Sequence, residues 1–293
     1  MKILFIGTVE FSYKALEKII ELDSDIVGVC TKEESSFNSD YKDLTPLCKN
    51  NNIPYKYIDD INSQENIKWI KDKNPDIIFC FGWSSLIKKE LLELPSMGIV
   101  GYHPAALPQN RGRHPLIWAM VLGLKKSAST FFFMEEGADD GDILSQKKFD
   151  ILYEDDAQSL YDKVINIALS QIEEFIPQLQ NNSYTKITQN HNLSNIWRKR
   201  SFQDGIIDFR MTTNSIYNLV RGLSKPYVGA SIIYKEQEIK IWKVEEITFE
   251  IDNIEYGKVL DILDNDILVK CSNGAIKIID HEFKILPNIG EYL

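Results

Sequence analysis

The sequence predicts an open α/β sheet domain of the Rossmann-like kind, followed by a small mostly-β domain. Three observations carry this. In the first half, short apolar runs alternate with stretches of helical periodicity, the mark of strand–helix–strand units with right-handed crossovers. Those runs are apolar throughout, as strands covered on both faces are. In the last third, short alternating strands follow one another with turn signals such as Asn273-Gly274.

The elements follow in order. Lys2 to Ile6 is an apolar run closed by Gly7. Phe11 to Leu22 places Phe11, Ala15, Leu16, Ile19 and Ile20 at helical spacing, and Asp25 to Thr31 is a second strand. Thr45 to Asn51 reads as a helix, Ile53 to Ile58 as a strand, Ser63 to Lys73 as an amphipathic helix and Pro75 to Phe81 as a buried strand. Leu86 to Leu92 reads as a helix, and Met97 to Tyr102 as a strand. Pro115 to Gly123 has proline at a helix start and glycine at its end. Ser129 to Met134 is a strand, and Asp156 to Leu179 a long helix. The polar run Asn181 to Asn195 looks like a linker, which puts the domains at residues 1–190 and 196–293. A short helix is expected around Ser215 to Gly222. Strands are expected at Ala230–Tyr234, Glu238–Glu245, Glu255–Ile262, Asp266–Lys270 and Ala275–Asp280.

The 293 residues are 44% hydrophobic and 26% charged, with a net charge of −10. That composition suits a soluble globular protein, and the acidity counts against a phosphate-gripping nucleic-acid binder. The cysteines, Cys30, Cys48, Cys80 and Cys271, fit no paired metal spacing. Cys30 and Cys80 lie in apolar runs, so buried thiols in a reducing compartment are expected. The amino terminus lacks the long apolar segment of a signal peptide, and no run has membrane-spanning length. A cytoplasmic enzyme without a membrane partner is expected.

Ligands of open α/β sheets bind beyond the carboxyl ends of the strands. His103 follows the Met97–Tyr102 strand within GYHPAALPQNRGRHP, and Asp139 and Asp140 follow the Ser129–Met134 strand. Two adjacent strand ends would then offer an imidazole and a carboxylate, a pair suited to general base catalysis. A loop histidine beside a proline, with acids that close a turn, would read the same. A nucleophile elbow, metal-ligand spacings such as H-E-x-x-H, and the G-x-G-x-x-G of dinucleotide binders are all absent, so no metal or nicotinamide is expected.

HPAALPQNRGRHPLIW resembles a loop of the folate-dependent formyltransferases. Thr130, Met134, Gly137, Asp139, Gly141 and Asp142 are similar to that family's T-x-x-x-M-x-x-G-x-D-x-G-D segment. WRKRSFQDGIIDF and NLVRGLSKPYVGA resemble the start of its second, barrel-like domain. The resemblance implies transfer of a formyl group from 10-formyltetrahydrofolate to an amine, with His103 and Asp139 as the catalytic pair. It implies folate along Phe81 to Ile87, with Phe81, Trp83, Leu86 and Ile87, and along Ala138 to Asp140, with Arg113 nearby. The family carries an Asn two residues before the histidine, where this chain has Gly101. That leaves the oxyanion donor unassigned, with Asn110 a candidate, and keeps open a degenerate folate-binding module without activity.

The branch that formylates methionyl-tRNA has a basic loop after the second strand. Here the matching stretch is TKEESSFNSDYKDL, with more acids than bases. The resemblance therefore points to the sugar N-formyltransferases of surface glycan (lipopolysaccharide) synthesis. Their acceptor is a nucleotide-linked 4-amino-4,6-dideoxyhexose, and a homodimer is compatible with it. Arg111, His114, Arg198 and Arg200 would meet the acceptor and its diphosphate, although structural ion pairs would occupy such arginines equally well. Methionyl-tRNA formyltransferase is the alternative.

Overall fold

The run from Lys2 to Ile6 forms β1, buried at every residue but Lys2. Such a strand needs cover on both faces, and the neighbouring elements supply it. The structure is a computed structural model that describes residues 1–34, 40–250 and 253–293. Its chain divides into two compact units. The first is Met1–Gly112, Ser127–Phe149 and Asp162–Trp197; the second is Arg113–Lys126, Asp150–Tyr161 and Arg198–Leu293.

In the first unit β1 leads into α1 (Glu10–Glu21), which buries Phe11, Ala15, Leu16 and Ile19 at the spacing of one helix face. Then come β2 (Asp25–Thr31), α2 (Thr45–Asn50), β3 (Tyr55–Tyr57), α3 (Gln64–Asp72) and β4 (Ile77–Cys80). Ser63 caps α3 by accepting from the Asn66 amide. The helix expected from Leu86 begins only at Lys89, as α4 (Lys89–Leu92). The Asn62 side chain donates to the Leu86 carbonyl at 2.8 Å, taking the acceptor a helix from Leu86 would have used, and accepts from the Lys88 amide at 2.8 Å.

β5 (Ile99–His103) completes five parallel strands in the order β3-β2-β1-β4-β5. Two-residue β6 (Arg111–Gly112) lies outside this sheet, and α5 (Pro115–Val121) follows it in the chain. The next strand, β7 (Lys126–Phe133), departs from the parallel pattern and runs antiparallel to β5, with His103 opposite Thr130 and Val100 opposite Phe133. β8 (Ile143–Asp150) closes that edge. α6 (Ala157–Gln180) carries Phe175 into an aromatic core with Phe79 and Phe131. Phe81 joins it, stacked on Phe79 with centroids 5.3 Å apart.

The polar run 181–195 is no free linker. Ile187 bridges Ile143, and β9 (Ile196–Trp197) pairs in parallel with β6.

The second unit is built on a five-stranded antiparallel sheet. α7 (Thr213–Leu223) packs beside it, capped by Thr212, which accepts from the Ser215 amide. The strands are β10 (Ala230–Tyr234), β11 (Gln237–Ile247), β12 (Val259–Leu263), β13 (Asp266–Cys271) and β14 (Gly274–His281). Their order is β10-β11-β14-β13-β12, with β10 and β12 at the edges. The core of this unit gathers Ile216, Leu219 and Val220 of α7 with Ile241, Val269 and Ile278 of the sheet. Arg221 is buried there: its Nη1 donates to the carbonyls of Leu152, Tyr153 and Asp155.

All four cysteines are buried, and burial pushes each thiol up to about 12. No helix among the described residues is long and apolar enough to cross a membrane.

Candidate active site

His103 ends β5, where the strand leaves the sheet, and is 5% exposed. Its Nε2 lies 2.7 Å from the Asn110 carbonyl oxygen. A carbonyl only accepts, so Nε2 donates and Nδ1 carries the free lone pair. Nδ1 lies 3.6 Å from Oδ2 of Asp139, outside hydrogen-bonding range but within the reach of an ion pair. A proton taken up at Nδ1 would face that carboxylate directly. The geometry can therefore accept a proton from a substrate and stabilise the charge that results.

The route by which Asp139 arrives differs from the expectation of two neighbouring strand ends. Because β7 runs antiparallel to β5, its last residue lies beside the start of β5. The loop from Met134 to Asp142 turns back to bring Asp139 to His103. Three bonds hold it there. The Gly112 amide donates to Asp139 Oδ2 at 2.8 Å, and Gln189 Nε2 donates to the carbonyls of Asp139 and Gly141 at 2.9 and 2.7 Å. Gly141 is required by space, since a Cβ there would lie 1.9 Å from the Phe133 carbonyl oxygen.

The loop carrying Asn110 is fixed from both ends. Thr130 Oγ1 donates to the Ala105 carbonyl at 2.7 Å, and Gln146 Nε2 to the Leu107 carbonyl at 2.9 Å. The Asn110 amide donates to Asn195 Oδ1 at 2.8 Å. Asn110 has a φ of 63°, which asparagine tolerates better than most residues. Its main-chain carbonyl thus serves His103.

At Gly101 a Cβ would lie 2.8 Å from Met134 Cγ and 3.1 Å from Phe132 Cζ. Met134 fills the space where the resemblance expects an asparagine.

The structure brings Arg111 to this site. It is 6% exposed, and its Nη2 donates to Gln189 Oε1 at 2.7 Å and to His191 Nδ1 at 3.2 Å. Phe81 and Ile87 are buried in the core, and the Phe81 amide donates to the Ile6 carbonyl while its own carbonyl accepts from the Ser12 hydroxyl. Trp83 packs partly against the first unit's core, and Leu86 is 65% exposed. Ala138 is exposed and Asp140 half-buried.

Arg113, His114, Arg198 and Arg200 belong to the second unit. His114 heads α5 with a φ of 55°; burial, aided by Arg200, Arg113 and Lys199, holds its pKa below the usual histidine value. Arg198 and Arg200 both lie over the Trp118 ring, at 5.2 and 5.1 Å from its centroid. Arg198 also forms a two-pronged pair with Asp204, and Arg200 donates to the Asp204 carbonyl.

Seven buried side-chain polar atoms lack a hydrogen-bond partner among the described residues. Four of them are Trp83 Nε1, Arg111 Nε, Asp140 Oδ1 and Arg200 Nη1, all on residues the sequence selects for folate or acceptor. Buried polar groups are rarely left unpaired, so the three of the first unit suit a ligand with its own donors and acceptors, as a pterin has. Gln189 and Asn195 were not legible as site residues. Gln189 and Asn195 sit in a polar run with no motif, and only the fold carries them in.

A histidine beside a carboxylate at the loop end of an open sheet suits an acid–base enzyme. The chain belongs to the formyl transferase family: the Formyl transferase model matches residues 1–174, and the Formyl transferase, C-terminal domain model residues 200–287. Members of that family are folate-dependent N-formyltransferases. The chain is 30% identical to methionyl-tRNA formyltransferase of Alkaliphilus oremlandii, over 99% of this chain and 94% of that one. It is 29% identical to the bifunctional polymyxin resistance protein ArnA of Wigglesworthia glossinidia brevipalpis, over 97% of this chain and 43% of that one. Its fold is similar to that of the N-formyltransferase from Helicobacter canadensis, solved with folinic acid and dTDP-3-aminofucose. That TM-score is 0.73 at 21% identity, covering 96% of this chain and 99% of the other.

Proposed function

We propose that the protein formylates the amine of a nucleotide-linked amino-deoxy sugar, with 10-formyltetrahydrofolate as donor. The amine nitrogen attacks the formyl carbon, and His103 Nδ1 takes the proton it sheds. Asp139, at 3.6 Å, balances the imidazolium. The bond from the formyl carbon to the folate nitrogen then breaks, and His103 returns the proton to that nitrogen. Tetrahydrofolate and the N-formyl product leave.

The observation that carries the sugar acceptor is electrostatic. The chain has a net charge of −10, and residues 31–44 hold four acids against two bases, with 35–39 of that stretch outside the described residues. An RNA acceptor gains its affinity from basic faces, and an excess of acids in the chain and in this stretch counts against one. Among the described residues Arg111 Nε keeps a buried N–H without a partner, which suits a phosphate oxygen of the acceptor.

A second reading, transfer to methionyl-tRNA, is favoured by sequence. Relatives that cover nearly the whole chain at 29 to 30% identity carry that name. One assay separates the two. Tetrahydrofolate release is followed with dTDP-linked 3-amino and 4-amino dideoxyhexoses, and in parallel with charged methionyl-tRNA. Turnover on a sugar nucleotide with none on tRNA is expected. The reverse result overturns the sugar reading, and folate binding without turnover on either supports a non-enzymatic module.

A further inference from the structure

We infer that Gln189 is a positioning residue for the transfer, acting through Asp139 and Arg111. The inference rests on the reading of His103 and Asp139 as the acid–base pair.

Gln189 lies between the two family models, which end at 174 and resume at 200. It is nevertheless 4% exposed. Its carboxamide is used at both ends. Nε2 gives its two hydrogens to the carbonyls of Asp139 and Gly141, and Oε1 accepts from Arg111 Nη2. One planar group therefore ties the loop that delivers the carboxylate to the loop that carries Arg111 and Asn110.

Asp139 needs such a tie. It holds a φ of 53°, a left-handed conformation that aspartate adopts more readily than most residues, in a loop that is otherwise largely exposed and so has few contacts of its own to hold it. The Gly112 amide fixes only the carboxylate; Gln189 fixes the backbone beneath it. Neighbouring groups secure Gln189 in turn. Ile187 bridges Ile143 in both directions at 2.9 Å, and the Arg111 amide donates to the Asn195 carbonyl at 3.1 Å. Misplacement of a reacting group by about 1 Å costs on the order of 100-fold in rate.

The test uses the full chain and two variants, Gln189→Glu and Gln189→Leu. Glu keeps the size and the acceptor for Arg111 but loses the donors to Asp139 and Gly141. Leu loses both. Two readouts are taken: kcat and KM with the acceptor that turns over, and the ring nitrogen-15 signals of His103. The chain has four histidines, so these signals are assigned by their loss in His103→Ala.

The expected result is a kcat about 100-fold lower in both variants, KM for 10-formyltetrahydrofolate changed by less than about twofold, and altered His103 signals. Wild-type kcat with wild-type signals in a folded Gln189→Glu overturns the inference. So does insolubility of both variants, which would assign a folding role. If the His103 signals move while kcat holds, the positioning stands and the acid–base reading fails.

Discussion

Met134 occupies the space beside Gly101 so closely that a Cβ at position 101 would lie 2.8 Å from its Cγ. The glycine and the methionine are one unit: a missing side chain and the one that fills its place. An asparagine cannot be restored at 101 without moving Met134. We expect Gly101→Asn alone to destabilise the protein by about 1–3 kcal/mol, the usual cost of overpacking. Gly101→Asn with Met134→Ala should recover most of that loss. Urea midpoints of the two variants measure this, and equal destabilisation in both would refute the coupling.

His103→Ala should abolish transfer, with a fall of about 100- to 10,000-fold, the range for loss of a general base. Binding of 5-formyltetrahydrofolate, followed by tryptophan fluorescence, should survive, since none of the folate-facing groups named above depends on the imidazole. Retention of more than a few per cent of activity would remove His103 from the reaction.

Asp139→Asn keeps an oxygen to accept from the Gly112 amide but removes the charge facing Nδ1. The variant should fold like the parent and lose about 100-fold or more in kcat. A soluble yield far below wild type would instead make Asp139 a structural residue.

Asp204 gives a pH-dependent prediction. Its pair with Arg198, helped by bonds from the Ser201 amide and hydroxyl, holds its carboxyl well below the usual aspartate range. A depressed folded-state pKa adds stability above the unfolded value, and that stability is lost as pH falls toward the folded one. Asp204→Asn should therefore be less stable than wild type at pH 7, with the gap narrowing at about pH 3, below the unfolded value of about 3.9. Denaturation at the two pH values tests it; an equal gap at both would rule out the ion pair as the cause.

Much of this was readable from the chain. The apolar runs placed β1, β2, β4 and β5 because doubly covered strands must be apolar. His103 and Asp139 were legible from motif and position, and the structure sets them 3.6 Å apart. The direction of β7 was not legible, because an apolar strand looks the same whichever way it runs. Gln189 was hidden for a related reason: a glutamine among polar residues reads as solvated until tertiary bonds bury it. Leu86 misled because a side-chain amide distant in sequence, that of Asn62, took over the local backbone.

The reversal of β7 has one more effect. Phe133 stands opposite Val100, about 10 Å along the strand from His103, so six residues of chain must cover that distance and turn Asp139 inward. The number of residues acts as a ruler. Glu135, Glu136 and Ala138 point outward and are open to replacement. A single residue added or removed there would rotate a different side chain toward the imidazole. At Glu135, Glu136 and Ala138 the fold therefore constrains the number of residues more than their identity.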